Sequence, residues 1–221
     1  MNPEPGTPEH ETARLRAATA LRALSHAFAA CDAEPDEMDL VAEATSALTA
    51  RLDSAPRRDR LGLMLAYHEA GGLPAHEESG TPGRAGFDDR AVGGAANPTG
   101  VDTEVSFDGE EVVATVVLRQ AFEGAPGRAH GGIVAAMFDD ITGYVIGVHR
   151  TPAFTGELTV RYLAPVPVNE PLAVRARLES RERRKLFITA EAKIGEDTIA
   201  TCRAIYIAVD PGSFRGAPDP R

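Results

Sequence analysis

Residues 131–148, GGIVAAMFDDITGYVIGV, place apolar side chains around nearly the whole circumference of a helix. Such a helix persists in water only if something covers it on several sides at once. A curved sheet does this, and the flanking sequence supplies strands. Val101 to Phe107 and Glu111 to Arg119 read as two strands about an Asp-Gly turn, and four more β-rich runs follow the helix, Phe154 to Leu163, Glu170 to Ser180, Lys185 to Ile194 and Asp197 to Val209. Alternation is clear in LAVRARLES, where Leu172, Val174, Ala176 and Leu178 share one face. The order strand, strand, long helix, four strands predicts an α+β layer fold with six mostly antiparallel strands around one central helix. Asp139 and Asp140 interrupt the apolar run and argue against a membrane span.

The N-terminal part has a different grammar. Residues 11–31 form an Ala- and Leu-rich helix with Leu15, Ala18, Leu21, Leu24 and Phe28 at helical spacing. A second helix, 36–52, has Leu40, Val41, Ala44, Leu48 and Leu52 on its apolar side, and PRRDRLGLMLAYHE suggests a short third. These pieces bury little alone, so their apolar sides are expected to dock on something else. Gly and Pro punctuate the chain from about Ala70 to Gly100. The expected organisation is a helical extension over 1–75, a linker over 76–100, a folded domain over 101–210 and a frayed tail over 211–221.

Composition narrows the function. The 221 residues carry a formal net charge of −10, which disfavours nucleic acid or an anionic membrane as the main partner. Cys31 and Cys202 are the two cysteines, far apart and without metal-type spacing, so no disulfide framework or metal site is expected. That cysteine usage makes a reducing cytoplasm the expected location, and the acidic, Pro-rich first residues, MNPEPGTPEHE, lack the basic and apolar regions of a signal peptide.

The central helix holds the residues that point to chemistry. His130 precedes it, and Gly131 and Gly132 open it, where the first N–H groups lack helical acceptors and the macrodipole is positive. A glycine there lets a substrate oxygen approach bare amides, as a carbonyl becoming an oxyanion in acyl transfer requires. Tight packing of the helix start on a strand equally favours glycine. Asp139 shares a side with Ala135, Ala136, Thr142 and Gly143, whose small side chains leave room beside a carboxylate nucleophile or general base. Asp140 lies with Ala136, Met137 and Tyr144. Gly131 and Asp139 are about 12 Å apart along the helix, too far to serve one carbonyl. If both act in catalysis, two copies of the chain build each site.

HGGIVAAMFDDITG, TGELTVRYLAPVP and RRKLFITAEA closely resemble the hotdog-fold acyl-CoA thioesterases, particularly the PaaI-like and THEM-like branch, over about residues 100–210. The resemblance implies an acyl-CoA or other acyl-thioester substrate, no metal or organic cofactor, and a site across the interface of a homodimer or dimer of dimers. It implies that the Gly131 amide polarises the thioester carbonyl and that Asp139 is nucleophile or general base. Thr155, seven residues before Tyr162, matches the hydroxyl that orients water or the carboxylate, while His130 contributes a hydrogen bond or caps the helix. Gly132 and Asp140 fall on the substrate side of the motif. Arg183, Arg184 and Lys185 match a basic segment near the CoA phosphates, and Met137, Phe138, Tyr144 and Phe154 are candidates for an acyl tunnel or for ordinary core. Two departures stand out: Asp140 replaces a usually uncharged residue, and Gly124 stands where some relatives carry Asn or Gln. The alternative is a non-catalytic acyl-CoA-binding or regulatory hotdog protein. A hotdog hydratase fits less well, because such enzymes pair the Asp with a His five residues on, where this chain has Tyr144.

Overall fold

A computed structural model describes residues 7–59, 62 and 90–209. The expected third helix, the first part of the 76–100 linker and the 211–221 tail lie outside the described residues, apart from 56–59 and 62.

Two helices come first, α1 (Pro8–Ala30) and α2 (Pro35–Asp53). Thr7 caps α1 by accepting the His10 N–H at 3.3 Å, and Pro8 occupies the first turn, where a missing N–H costs nothing. Strands β1 (Asp102–Asp108) and β2 (Glu111–Val117) follow, then a single 3-10 turn, Gln120–Phe122, and a small hairpin of β3 (Glu123–Ala125) and β4 (Arg128–Ala129). Helix α3 (Gly131–Val148) leads to β5 (Ala153–Tyr162), β6 (Pro171–Glu182), β7 (Lys185–Ile194) and β8 (Asp197–Ala208).

The main sheet has six strands in the order β1-β2-β6-β7-β8-β5, every neighbouring pair antiparallel. Gly109 and Gly195 turn the β1–β2 and β7–β8 hairpins with φ of 62° and 57°, a region glycine enters without steric penalty. Helix α3 lies on the sheet and touches β2, β5, β6, β7 and β8, so its wide apolar girth meets strands from several sides. Val134, Met137, Phe138, Ile141 and Val145 pack there against Val112, Leu172, Leu186 and Ile188 to form the core. Among the described residues α3 is the one helix long and apolar enough to cross a membrane, and it is this core helix.

The N-terminal helices depart from expectation in a physically informative way. The face of α1 that docks is Ala18, Arg22 and His26, not the leucine stripe. Arg22 donates to Asp102 and to the carbonyls of Ala95 and Asn97, at 2.8 to 3.0 Å. His26 is buried, accepts the Ala121 N–H at 3.2 Å and meets the Phe122 ring edge-on. Backbone groups of the 95–97 loop and the 120–122 turn need partners, and polar side chains on α1 supply them. Leu21, Leu24 and Phe28 are left exposed. Residues 90–101, at the end of the Gly/Pro-rich stretch, are tied to the same body: Val101 N–H bonds Val92 O, and Ala96 is buried.

Candidate functional site

The polar residues of α3 separate into three places. Asp139 faces β5 and β8. Thr155 donates its hydroxyl to Asp139 Oδ1 at 2.8 Å, and the Tyr206 hydroxyl lies 2.9 Å from the Asp139 main-chain oxygen and 3.5 Å from Oδ1. Thr155 and Tyr206 are direct cross-strand partners. A bulge at Gly156 shifts the register there, and a Cβ on Gly156 would come within 3.0 Å of Ile207. Bulges re-aim neighbouring side chains, and this one accompanies the hydroxyl that reaches the carboxylate. Asp139 is half-buried and Thr155 exposed, so the carboxylate opens outward past the edge strand.

Tyr206 was not legible as a site residue. It sits in a strand whose alternation marks it as core, and it is indeed buried. Its hydroxyl also lies 2.9 Å from Thr142 Oγ1, whose own hydroxyl donates to the Phe138 carbonyl. Burial pushes the phenol up to about 12, so it stays protonated and remains a donor. The available signal was a lone tyrosine opposite Thr155, but finding it requires the β5–β8 register. Replacing Tyr206 with Phe removes one donor beside a carboxylate; if that carboxylate acts on a substrate, kcat is expected to fall about tenfold with KM little changed. Steady-state kinetics of the variant check this; an equal rise in KM alone would assign Tyr206 to packing.

Asp140 points elsewhere. Arg90 Nε lies 3.3 Å from its Oδ1, and the Arg90 guanidinium stacks 4.2 Å over the Tyr144 ring. Gly93 covers the other carboxylate oxygen, and a Cβ there would collide with it. Burial pushes the Asp140 carboxyl up, opposed by Arg90 and by the Gly93 backbone. Asp140 and Tyr144, one helical turn apart, thus anchor the 90–93 segment, which accounts for a charged residue at this position.

The third place is the helix start. His130 caps α3: its Nδ1 accepts the Gly132 N–H at 3.0 Å. That contact consumes the Gly132 amide, whereas the Gly131 N–H has no acceptor among the described residues. Gly131 is also packed tightly, since Tyr162 donates to its carbonyl at 2.6 Å and an added Cβ would lie 3.3 Å from the phenol oxygen. Gly131 thus combines an amide without an acceptor among the described residues with close packing against Tyr162. A cavity of about 510 Å³ opens beside it, lined by His130, Gly131, Val134, Tyr162, Leu163 and the β3–β4 hairpin. Gly124 borders this cavity, and a Cβ there would approach the His130 backbone to 2.9 Å. A longer side chain at 124 would have to displace the helix cap.

Arg183, Arg184 and Lys185 form the β6–β7 turn, all exposed, with Arg183 at a φ of 53°. Arg184 donates to the Ala208 carbonyl at 2.9 Å. The register runs Leu186 to Tyr206 to Thr155 across β7, β8 and β5, so the basic turn shares a sheet end with Asp139. Two strand spacings, roughly 10 Å, separate them. Met137 and Phe138 are core, Tyr144 carries Arg90, and Phe154 is exposed. Among the described residues no group of His, Cys, Asp and Glu is arranged to hold a metal ion. Cys202 is buried, and burial pushes its thiol up to about 12.

Residues 126–201 match the thioesterase superfamily model. The fold agrees: the crystal structure of a thioesterase superfamily protein superposes with a TM-score of 0.70 at 22% identity, covering 93% of this chain and 97% of that one. The chain has the hotdog fold, and within it residues 126–201 are similar to the thioesterase superfamily. The matched segment holds α3, Thr155 and the basic turn, while the hotdog sheet extends beyond it at both ends. Among curated proteins the chain is similar, over part of its length, to acyl-coenzyme A thioesterase THEM4. The Mus musculus protein is 34% identical over 91 residues, covering 40% of this chain and 39% of that protein. The Bos taurus protein is 30% identical over 112 residues, covering 48% and 46%. The chain thus matches less than half the length of these relatives.

Proposed function

We propose that this protein hydrolyses acyl-CoA thioesters, with Asp139 as nucleophile or general base and with each active site shared between two copies. The observation that carries the reading is the Thr155–Asp139 hydrogen bond, which fixes a half-buried helix carboxylate against the outward-facing edge strand. With one carboxylate oxygen held by Thr155, the other is left for the substrate carbonyl or for the attacking water. Attack on the thioester carbonyl drives charge onto its oxygen, and a bare amide at a helix N-terminus is suited to stabilise it. The Gly131 N–H supplies such a donor, but the same copy's Asp139 lies about 12 Å further along the helix.

The edge strand supports a site shared between two copies. One end of β5 holds Thr155 beside Asp139, and its other end holds Tyr162 beside Gly131. β5 is an edge of the sheet, with an unpaired backbone rim that invites another strand. Two copies joined antiparallel along β5 bring the Thr155 end of one beside the Tyr162 end of the other, which supplies carboxylate and amide to one carbonyl. The basic turn at 183–185 lies on the Asp139 end of the sheet, which supports its meeting the CoA phosphates. Partial similarity of the chain to acyl-coenzyme A thioesterase THEM4 supports the CoA ester as carrier.

Free-thiol release from short, long and aromatic acyl-CoAs tests the reading. Turnover of at least one class is expected; a folded protein that releases no thiol from any of them would leave acyl binding without hydrolysis as the better description.

A further inference from the structure

Helix α2 presents its leucines to solvent. Leu40, Leu48 and Leu52 are 65%, 50% and 68% exposed, and every residue from 46 to 53 is exposed. Among the described residues α2 has no extensive packing partner, since α1 spends its docked face on the 120–122 turn. A 19-residue helix with an uncovered leucine stripe is marginal in water and gains order by covering that stripe.

The stripe has a symmetry of its own. Glu37, Leu40, Ala44, Leu48 and Arg51 follow one another at steps of three and four residues, so they lie on one side of the helix. The acid stands in the first turn and the base in the last. Ala44 is midway between Leu40 and Leu48, and midway between Glu37 and Arg51. We propose that α2 is a self-association surface that pairs antiparallel with α2 of a second copy, about a two-fold axis at Ala44. In that arrangement Leu40 faces Leu48 of the second copy, Glu37 faces its Arg51, and the small Ala44 meets itself and lets the helices approach closely. Neither Glu37 nor Arg51 has an ion pair among the described residues, so both are free to meet across the axis. A parallel pair would instead set Glu37 against Glu37 and Arg51 against Arg51. The charge pattern therefore selects the antiparallel pair, an isologous contact between this chain and a copy other than its β5 partner, so that each α2 pair doubles the assembly.

Sedimentation velocity on the full chain tests this without any substrate, so its outcome is independent of the catalytic reading. Leu48→Glu and Leu40→Lys are each expected to halve the mass of the assembly. An equimolar mixture of the two is expected to restore it, because the new Lys and Glu then face one another across the axis. Ala42→Glu, on the opposite exposed face of α2, is expected to leave the mass unchanged. If both leucine variants keep the parent mass, the stripe is covered by another part of the chain and the proposal fails. It also fails if the mixture stays at half mass or if Ala42→Glu halves it too.

Discussion

Asp139→Asn is expected to abolish thiol release from acyl-CoA, with kcat down about a thousandfold or more, while the protein still folds. The substitution keeps the size of the side chain and its ability to accept from Thr155, but removes the charge that attacks or that takes a proton from water. Losing a positioned general base or nucleophile typically forfeits two to four orders of magnitude. Asp140→Asn is the informative companion. Its carboxylate is engaged by Arg90 and Gly93 rather than by Thr155, so turnover should survive. Initial rates of the two variants side by side decide between the adjacent aspartates, and loss of turnover with Asp140→Asn alone would reverse the assignment.

Gly131→Pro should be almost as damaging for a different reason. Gly131 is the first residue of α3, a position where proline fits because its missing N–H has no helical acceptor anyway. His130 already has the extended backbone, with φ −64° and ψ 131°, that a residue before proline requires. The change deletes one amide donor and adds a Cβ 3.3 Å from the Tyr162 hydroxyl, which must shift by a few tenths of an ångström, and a loss of about a hundredfold or more in kcat is expected. Its greater value is in combination. If carboxylate and amide come from different copies, mixing Asp139→Asn with Gly131→Pro and allowing subunits to exchange regenerates sites with both groups intact. Random pairing in a two-fold dimer gives about a quarter of the parental activity from two nearly dead proteins. A mixture no more active than its components would place both groups in one copy.

The hotdog layout was legible because each of its elements announces itself locally. An apolar helix too greasy to face water, strands of clear alternation and Asp-Gly or Gly-Glu turns leave few alternatives, and the observed strands differ from the expected ones by a residue or two at their ends. Asp139 and Thr155 were legible as members of a spaced motif, and the structure brings them into contact. Tyr206 was not, because its contribution depends on which residue of β5 it faces, and cross-strand register is not encoded in either strand alone. The docking of α1 was misjudged for a related reason. Hydrophobic periodicity predicts that leucines seek cover, but the surface that α1 meets is rich in backbone groups, and Arg22 and His26 satisfy them. The role of Asp140 was hidden because its partner, Arg90, comes from a Gly- and Pro-rich stretch with no periodicity to read.

Cys202 lies close enough to Asp139 for the carboxylate's charge to act on it, yet its thiol is buried and held protonated up to about pH 12. If the proposed hydrolysis of acyl-CoA is right, turnover surrounds the protein with a small thiol, and with its disulfides once oxidant is present. Thiolates are what such disulfides capture. Cys202 offers almost none, and the exposed thiol, Cys31, sits at the far end of α1. Mixed-disulfide formation with such a thiol would thus mark the outer helix and spare the surroundings of Asp139.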